Sequence, residues 1–201
     1  MFRQGLATTV FGLIAAVALS AGSQTFSKTD ADSLQRKLDA ILKRGAATGK
    51  AVRPLSTSVS DREFNAYFRF QGAEKLPAGV LNPTLQILDG GRVIGAVTVD
   101  IDAVRRSKER GWTDPLAYMS GKVDARIVGV LRAANGKGRI ELESATLGGV
   151  SVPMTVLQQL ITYYTKTPES PNGFSLDQPF DLPQQIRQVD FTQRGSAVIV
   201  Q

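Results

Sequence analysis

Alternation of apolar and polar residues is most regular between Lys122 and Leu147. Asn135-Gly136-Lys137-Gly138 lies in the middle and is a strong turn signal. With Asn135 paired to Gly138, Leu131 faces Leu142, Ala133 faces Ile140 and Ile127 faces Thr146. On the other face Arg132 sits opposite Glu141. One pairing sorts apolar residues to one side and an ion pair to the other, as a half-buried antiparallel sheet requires. The pattern predicts a long β-hairpin that runs through Gly148-Gly149 into an apolar helix near Pro153.

Upstream, Leu34, Leu38, Ile41 and Leu42 recur at helical spacing. Thr29-Asp30-Ala31-Asp32 predicts a capping box at the start of that helix, and Lys43-Arg44-Gly45 predicts its end. Val52 to Val59 reads as an extended segment interrupted by Pro54. Ser60-Asp61-Arg62-Glu63 is a second capping box. It predicts a short helix from Asp61 to Phe70 that packs Phe64, Tyr67 and Phe68 on the sheet. Thr84 to Leu88 turns at Asp89-Gly90-Gly91 into a strand from Arg92 to Asp102. A three-residue turn sets Ile87 opposite Val93. Val93, Val97, Val99 and Ile101 then share one side, with Arg92, Thr98, Asp100 and Asp102 on the other.

Past the hairpin, Ser151 is the expected N-cap, with Pro153 just inside the helix. Val156, Leu157, Leu160, Ile161 and Tyr164 cover a wide arc, and no charge occurs from Val150 to Thr165. Such a helix is expected to be buried against something large. Thr167 to Gly173 holds Pro168 and Pro171 and predicts a loop. A last hairpin follows, with a strand near Ile186 to Thr192, a turn at Gln193-Arg194-Gly195 and a strand from Ser196 to Val200. The predicted fold class is α+β: a curved antiparallel sheet wrapped around an apolar helix, with a second helix.

Composition narrows the chemistry. The 201 residues, 42% hydrophobic, suffice for one well-filled core. There is no Cys and no His. Thiolate nucleophiles, disulfides, the usual zinc ligands and the side chain best suited to proton transfer near neutrality are therefore missing. No metal site, cofactor or catalytic residue is expected, and Ser and Asp occur without a hydrolase elbow motif. Asp100 and Asp102 form a carboxylate pair on one strand face, and alternation alone accounts for them and for Glu141 and Glu143. The formal net charge of +6 favours anionic partners.

The first residues bear on compartment. Met1-Phe2-Arg3-Gln4 carries one positive charge, Val10 to Leu19 is apolar, and Ser20-Ala21-Gly22-Ser23 is small. This is the pattern of a secretory signal over 1–23, leaving 24–201 as a single domain in the periplasm or outside the cell. An uncleaved N-terminal anchor is the alternative. Either way a nucleic-acid partner is not expected. Arg105, Arg106, Lys108 and Arg110 precede Trp112, the only tryptophan. Basic residues beside an interfacial aromatic suit contact with an anionic membrane surface, and a solvated loop is the plainer alternative.

Two short stretches carry a family likeness. Ser60-Asp61-Arg62-Glu63-Phe64-Asn65-Ala66-Tyr67 is similar to the "S-x-x-E-L-N-x-Y" helix start of the small bacterial periplasmic relatives of the tubular lipid-binding (TULIP) superfamily. Leu182-Pro183-Gln184-Gln185-Ile186-Arg187 before the final hairpin resembles them too, as does the order of elements. The resemblance implies a curved sheet around a long helix, with acyl chains between them. The broken segment at Pro54 and the long basic loop depart from that pattern. On this basis Val97, Val99, Ile127 and Leu131 from the sheet, with Leu157, Leu160, Ile161 and Tyr164 from the helix, are candidate liners of an apolar groove. Ordinary core is the alternative for each. The expected function is lipid binding or lipid transfer in the cell envelope, without enzymatic activity. A structural or assembly module that binds a protein or polymer partner is the second possibility.

Overall fold

A computed structural model describes residues 25–47, 53–106, 119–166 and 171–201. The predicted signal segment and the residues Lys108, Arg110 and Trp112 lie outside them. Helix α1 (Lys28–Gly45) begins where Ser27 and Asp30 cap one another: the Asp30 N–H donates to Ser27 Oγ at 3.1 Å, and the Asp30 carboxylate accepts from the Ser27 N–H at 3.1 Å. The box is thus Ser-x-x-Asp and starts two residues before the predicted Thr29. Asp30 falls on the third helical position, where its carboxylate can reach back to the cap residue and face the positive end of the helix dipole. Strand β1 (Ser56–Ser60) leads into α2 (Asp61–Phe70) through the predicted box of Ser60 and Glu63.

The two helices pack on each other. Ala31, Leu34 and Ile41 of α1 and Ala66 and Tyr67 of α2 are all buried to 5% exposure or less. Leu42, predicted on the same face, is 51% exposed, because the α1–α2 seam is narrower than the apolar arc.

The remaining strands and α-helices are β2 (Val80–Ile87), β3 (Arg92–Asp100), α3 (Ile101–Arg106), β4 (Lys122–Ala134), β5 (Lys137–Leu147), β6 (Val150–Ser151), α4 (Met154–Thr165), β7 (Phe180–Asp181), β8 (Gln188–Gln193) and β9 (Ser196–Val200). The nine strands among the described residues form one open antiparallel sheet. Its path runs β1-β9-β8-β4-β3-β2, with β5 on the far side of β4 and both β6 and β7 on the outer edge of β5. The predicted pairing of Ile87 with Val93 is present, and the last hairpin extends the sheet through Ala133 and Val189.

Helix α2 closes the edge at β2. The Asn65 side chain accepts from the Leu85 N–H at 2.8 Å and donates to the Leu85 carbonyl at 2.9 Å. Asp61 accepts from the Ile87 N–H, and the Gly195 N–H donates to the Ile87 carbonyl. A buried side-chain amide thus replaces one rung of a missing strand, which satisfies an edge that would otherwise invite pairing.

Three local expectations change. The central turn slides by one residue: its two loop residues are Asn135 and Gly136, at φ of 52° and 75°, rather than Gly136 and Lys137, and Ala134 pairs with Lys137. This is the twist-matched hairpin turn that Asn-Gly favours. Leu131 therefore faces Ile140, and Arg132 faces Arg139, with Glu141 on the diagonal at 3.7 Å. A bulge between Val128 and Gly129, taken up by one extra residue on β5, then sets Ile127 against Ala145 rather than Thr146. Second, β3 stops at Asp100. Asp100 Oδ1 accepts from the Ala103 N–H at 2.8 Å and Asp102 Oδ2 from the Gly121 N–H at 2.9 Å, so both carboxylates bind backbone at a strand–helix corner, and Ile101, in α3, is 1% exposed. Third, Ser151 lies in β6 and the N-cap of α4 is Pro153, with no side-chain capping bond.

Helix α4 lies against β5. It is less covered than its lack of charge predicts: Leu157 is its buried residue, while Met154 and Val156 are 40% and 43% exposed. Its Gln158–Thr162 side is held by polar contacts instead. Gln158 donates to the Phe174 carbonyl at 3.1 Å and accepts from the Leu176 N–H at 2.8 Å.

Candidate ligand-binding site

The alternation of β3, β4 and β5 produces one continuous apolar face. Across β3 and β4, Val93, Gly95, Val97 and Val99 stand beside Gly129, Ile127, Ala125 and Val123. Across β4 and β5, Leu131 and Gly129 stand beside Ile140 and Leu142. Beyond the bulge, Ile127 and Ala125 stand beside Ala145 and Leu147. The bulge explains how this face stays unbroken. Glu143 and Ser144 interrupt the alternation, and inserting one residue there returns Ala145 and Leu147 to the apolar side.

The opposite face is mixed: Ile94, Val128 and Val130 share it with ion pairs, and Val128 is buried. Arg92 pairs with Glu143 at 2.6 Å and Arg132 with Glu141 at 3.7 Å. The apolar face is not sealed: Val93, Val97, Val99, Ile127, Leu131, Ile140, Leu142 and Leu147 are each only half-buried. A contiguous apolar surface of this kind on a folded domain marks a binding site more often than a chance exposure.

All four sheet residues predicted from sequence, Val97, Val99, Ile127 and Leu131, lie on this face. On α4, Leu157, Leu160, Ile161 and Tyr164 fall on one side at helical spacing. Leu157 is buried and the other three are half-buried. A cleft of about 560 Å³ opens between the outer strand and the helix. Its walls are Arg139 to Leu142 of β5, Met154, Thr155, Gln158 and Gln159 of α4, and Leu176 and Asp177. None of the eight predicted liners is among them. The cleft uses the side of α4 opposite Leu160 and the strand one further out than β4.

Ile140 and Leu142 were legible as apolar partners of Ala133 and Leu131. Their position at the free margin of the sheet was not, because it depends on where β6 and β7 stop. Of the predicted membrane-contact residues, Arg105 is half-buried, with its guanidinium 3.5 Å from the Met119 carbonyl, and Arg106 is exposed at the end of α3. Among the described residues no cluster of three or more carboxylates could hold a metal ion, and no helix is long and apolar enough to cross a membrane.

No protein-family model matches this chain, and no curated protein does. Among solved structures, a lipopolysaccharide binding protein is similar at 16% sequence identity and a TM-score of 0.23. That match covers 73% of this chain and 40% of the other, so this chain spans less than half the length of its neighbour.

Proposed function

We propose that the protein is a non-enzymatic lipid-binding or lipid-transfer protein of the cell envelope, working outside the cytoplasm. The observation that carries this reading is the unbroken apolar face of β3, β4 and β5, left half-buried beside an equally half-buried α4. An acyl chain laid over Val97, Val99, Ile127 and Leu131 would leave water at roughly 0.8 kcal/mol per methylene. A ligand with a long unbranched tail suits such a surface, since the patch offers area and no polar anchor of its own. The secretory pattern of residues 1–23 and the family likeness around Ser60 to Tyr67 favour the same assignment. The absence of Cys and His from the whole sequence favours binding over catalysis.

The test is native mass spectrometry and lipid extraction of the full chain purified from a bacterial envelope, with titration of a fluorescent fatty acid. A co-purifying lipid or saturable probe binding is expected. Ile127→Asn should weaken the probe by roughly tenfold with the circular dichroism unchanged, because one buried apolar side chain is worth that much. A lipid-free protein that does not bind the probe would overturn the assignment.

A further inference from the structure

The outermost strand of the sheet is interrupted. It begins as β6, where Ser151 pairs with Thr146 and the Val152 N–H donates to the Ala145 carbonyl at 2.9 Å. It resumes as β7, where Phe180 pairs with Gly138 and Asp181 with Lys137. Both pieces are antiparallel to β5, so they run in the same direction along one line. Each ends at a proline on the side of the gap. Pro153 follows Val152, and continuing the β7 register by one residue sets Pro179 against Arg139. Both prolines fall opposite residues turned toward β4, so each points its missing N–H away from β5, as an edge strand tolerates, and the chain leaves the ladder beside each one. The chain between them leaves the sheet through α4.

The gap exposes peptide groups. In the β4–β5 ladder, closed by the two-residue turn, Lys137, Arg139 and Glu141 are turned toward β4, and Gly138, Ile140 and Leu142 alternate away from it. Gly138 meets β7. Among the described residues Ile140 and Leu142 meet no strand, and both line the cleft beside α4. Their N–H and C=O groups stand in a half-buried apolar setting, where an acyl chain could not satisfy them and an extended peptide could.

Charge specifies the occupant further. Arg139 lies directly opposite Arg132, and Arg139 has no acidic partner among the described residues. One rung away the molecule already shows how this edge is read. Phe180 seats its ring where Gly138 has no side chain, and Asp181 pairs with Lys137 at 2.6 Å.

We propose that the gap between Val152 and Phe180 is filled by an extended peptide of a partner protein, which adds to β5 at Ile140 and Leu142. That segment carries apolar residues on the side of the apolar sheet face and an acidic residue beside Arg139. Strand addition of this kind takes its affinity from main-chain hydrogen bonds and its selectivity from alternate side chains. The peptide lies in the plane of the sheet, beyond β5, so it leaves the floor formed by Val97, Val99 and Ile127 as it is.

Amide hydrogen exchange of the full-length protein tests this, with an acetylated and amidated seven-residue peptide of alternating valine and aspartate as probe and its valine–lysine counterpart as control. In the free protein the amides of Ile140 and Leu142 should exchange far faster than those of Arg139 and Glu141. The aspartate peptide should slow them by at least roughly tenfold at concentrations near 1 mM, and the lysine peptide should do so less. Leu142→Pro, which removes one outward N–H and leaves the β4 ladder intact, should abolish the protection. Should that variant misfold, the comparison of the two peptides on the unaltered protein still decides. Equal protection by both peptides, protection elsewhere or none would overturn the proposal. Fatty-acid binding without peptide protection would sink this inference and leave the lipid reading standing, and the reverse pattern would do the opposite.

Discussion

At the residue scale, Glu63 joins the two helices. It is 9% exposed, and it accepts from Lys37 Nζ at 2.6 and 2.8 Å, from Ser33 Oγ at 2.5 Å and from the Ser60 N–H at 3.0 Å. Burial by itself pushes its pKa up. The bonds from Lys37, Ser33 and Ser60 together outweigh that and hold the carboxyl below its ordinary 4.5. Because the folded value is depressed, the ionised form stabilises the fold above the unfolded pKa, and this contribution disappears as pH falls through the folded one. Glu63→Gln should therefore cost about 1–3 kcal/mol at neutral pH and progressively less as pH drops through the acid limb. Urea unfolding across that range measures it, and a gap that stays constant with pH would refute the linkage. The capping role of Glu63 was readable from Ser60-Asp61-Arg62-Glu63. Its burial was not, since its cation lies 26 positions upstream on another helix. Asn65 is the same case: nothing in the local pattern announces that its amide will replace a strand rung.

At the scale of elements, the hairpin shows which part of a register a sequence determines. The apolar and polar faces came out as predicted around Leu131 and Ile140, because a shift of two residues leaves side-chain parity unchanged. The pairing itself depended on whether Asn135-Gly136 or Gly136-Lys137 formed the two-residue loop, and the left-handed conformations of Asn135 and Gly136 decided for the first. The bulge at Glu143-Ser144 restores parity where alternation fails, a device visible only as a flaw in the pattern. Helix α4 teaches the converse. Absence of charge predicted burial, but Gln158 and Thr162 anchor it through hydrogen bonds to the 174–176 segment, and the sheet covers little else of it. One contact on this side bears directly on the sheet edge. A Cβ on Gly138 would come within 2.5 Å of the Phe180 ring, so Gly138→Val must displace β7. A loss of about 1–3 kcal/mol is expected from such overpacking. The Leu182 amide, which donates to the Gly136 carbonyl at 2.9 Å, should lose exchange protection while β3 and β4 keep theirs. Unchanged protection at Leu182 would mean that β7 does not depend on this packing.

For the molecule as a whole, the ion pairs Arg92–Glu143 and Arg132–Glu141 lie on one face of the sheet, the half-buried apolar surface lies on the other, and the chain carries a net charge of +6. The carrier role proposed above requires contact with the membrane that holds the ligand, and anionic head groups attract a basic protein within a Debye length of the surface. The densest run of cations is Arg105, Arg106, Lys108 and Arg110, followed by Trp112. Arg106 is exposed at the end of α3, and Arg105 is turned toward Met119, so Arg106, Lys108 and Arg110 are the residues to reverse. Each cation near an anionic surface contributes about 1 kcal/mol, so the triple change to Glu should weaken binding to phosphatidylglycerol-containing vesicles by about 100-fold or more. Raising the salt should weaken the unaltered protein in the same direction, and phosphatidylcholine vesicles should bind neither form. Trp112 offers the readout, because as the only tryptophan its emission should shift to the blue on contact and stay unshifted in the variant. Vesicle binding that is insensitive to both salt and the triple change would remove this segment from any membrane role and leave the apolar face to find its ligand in solution.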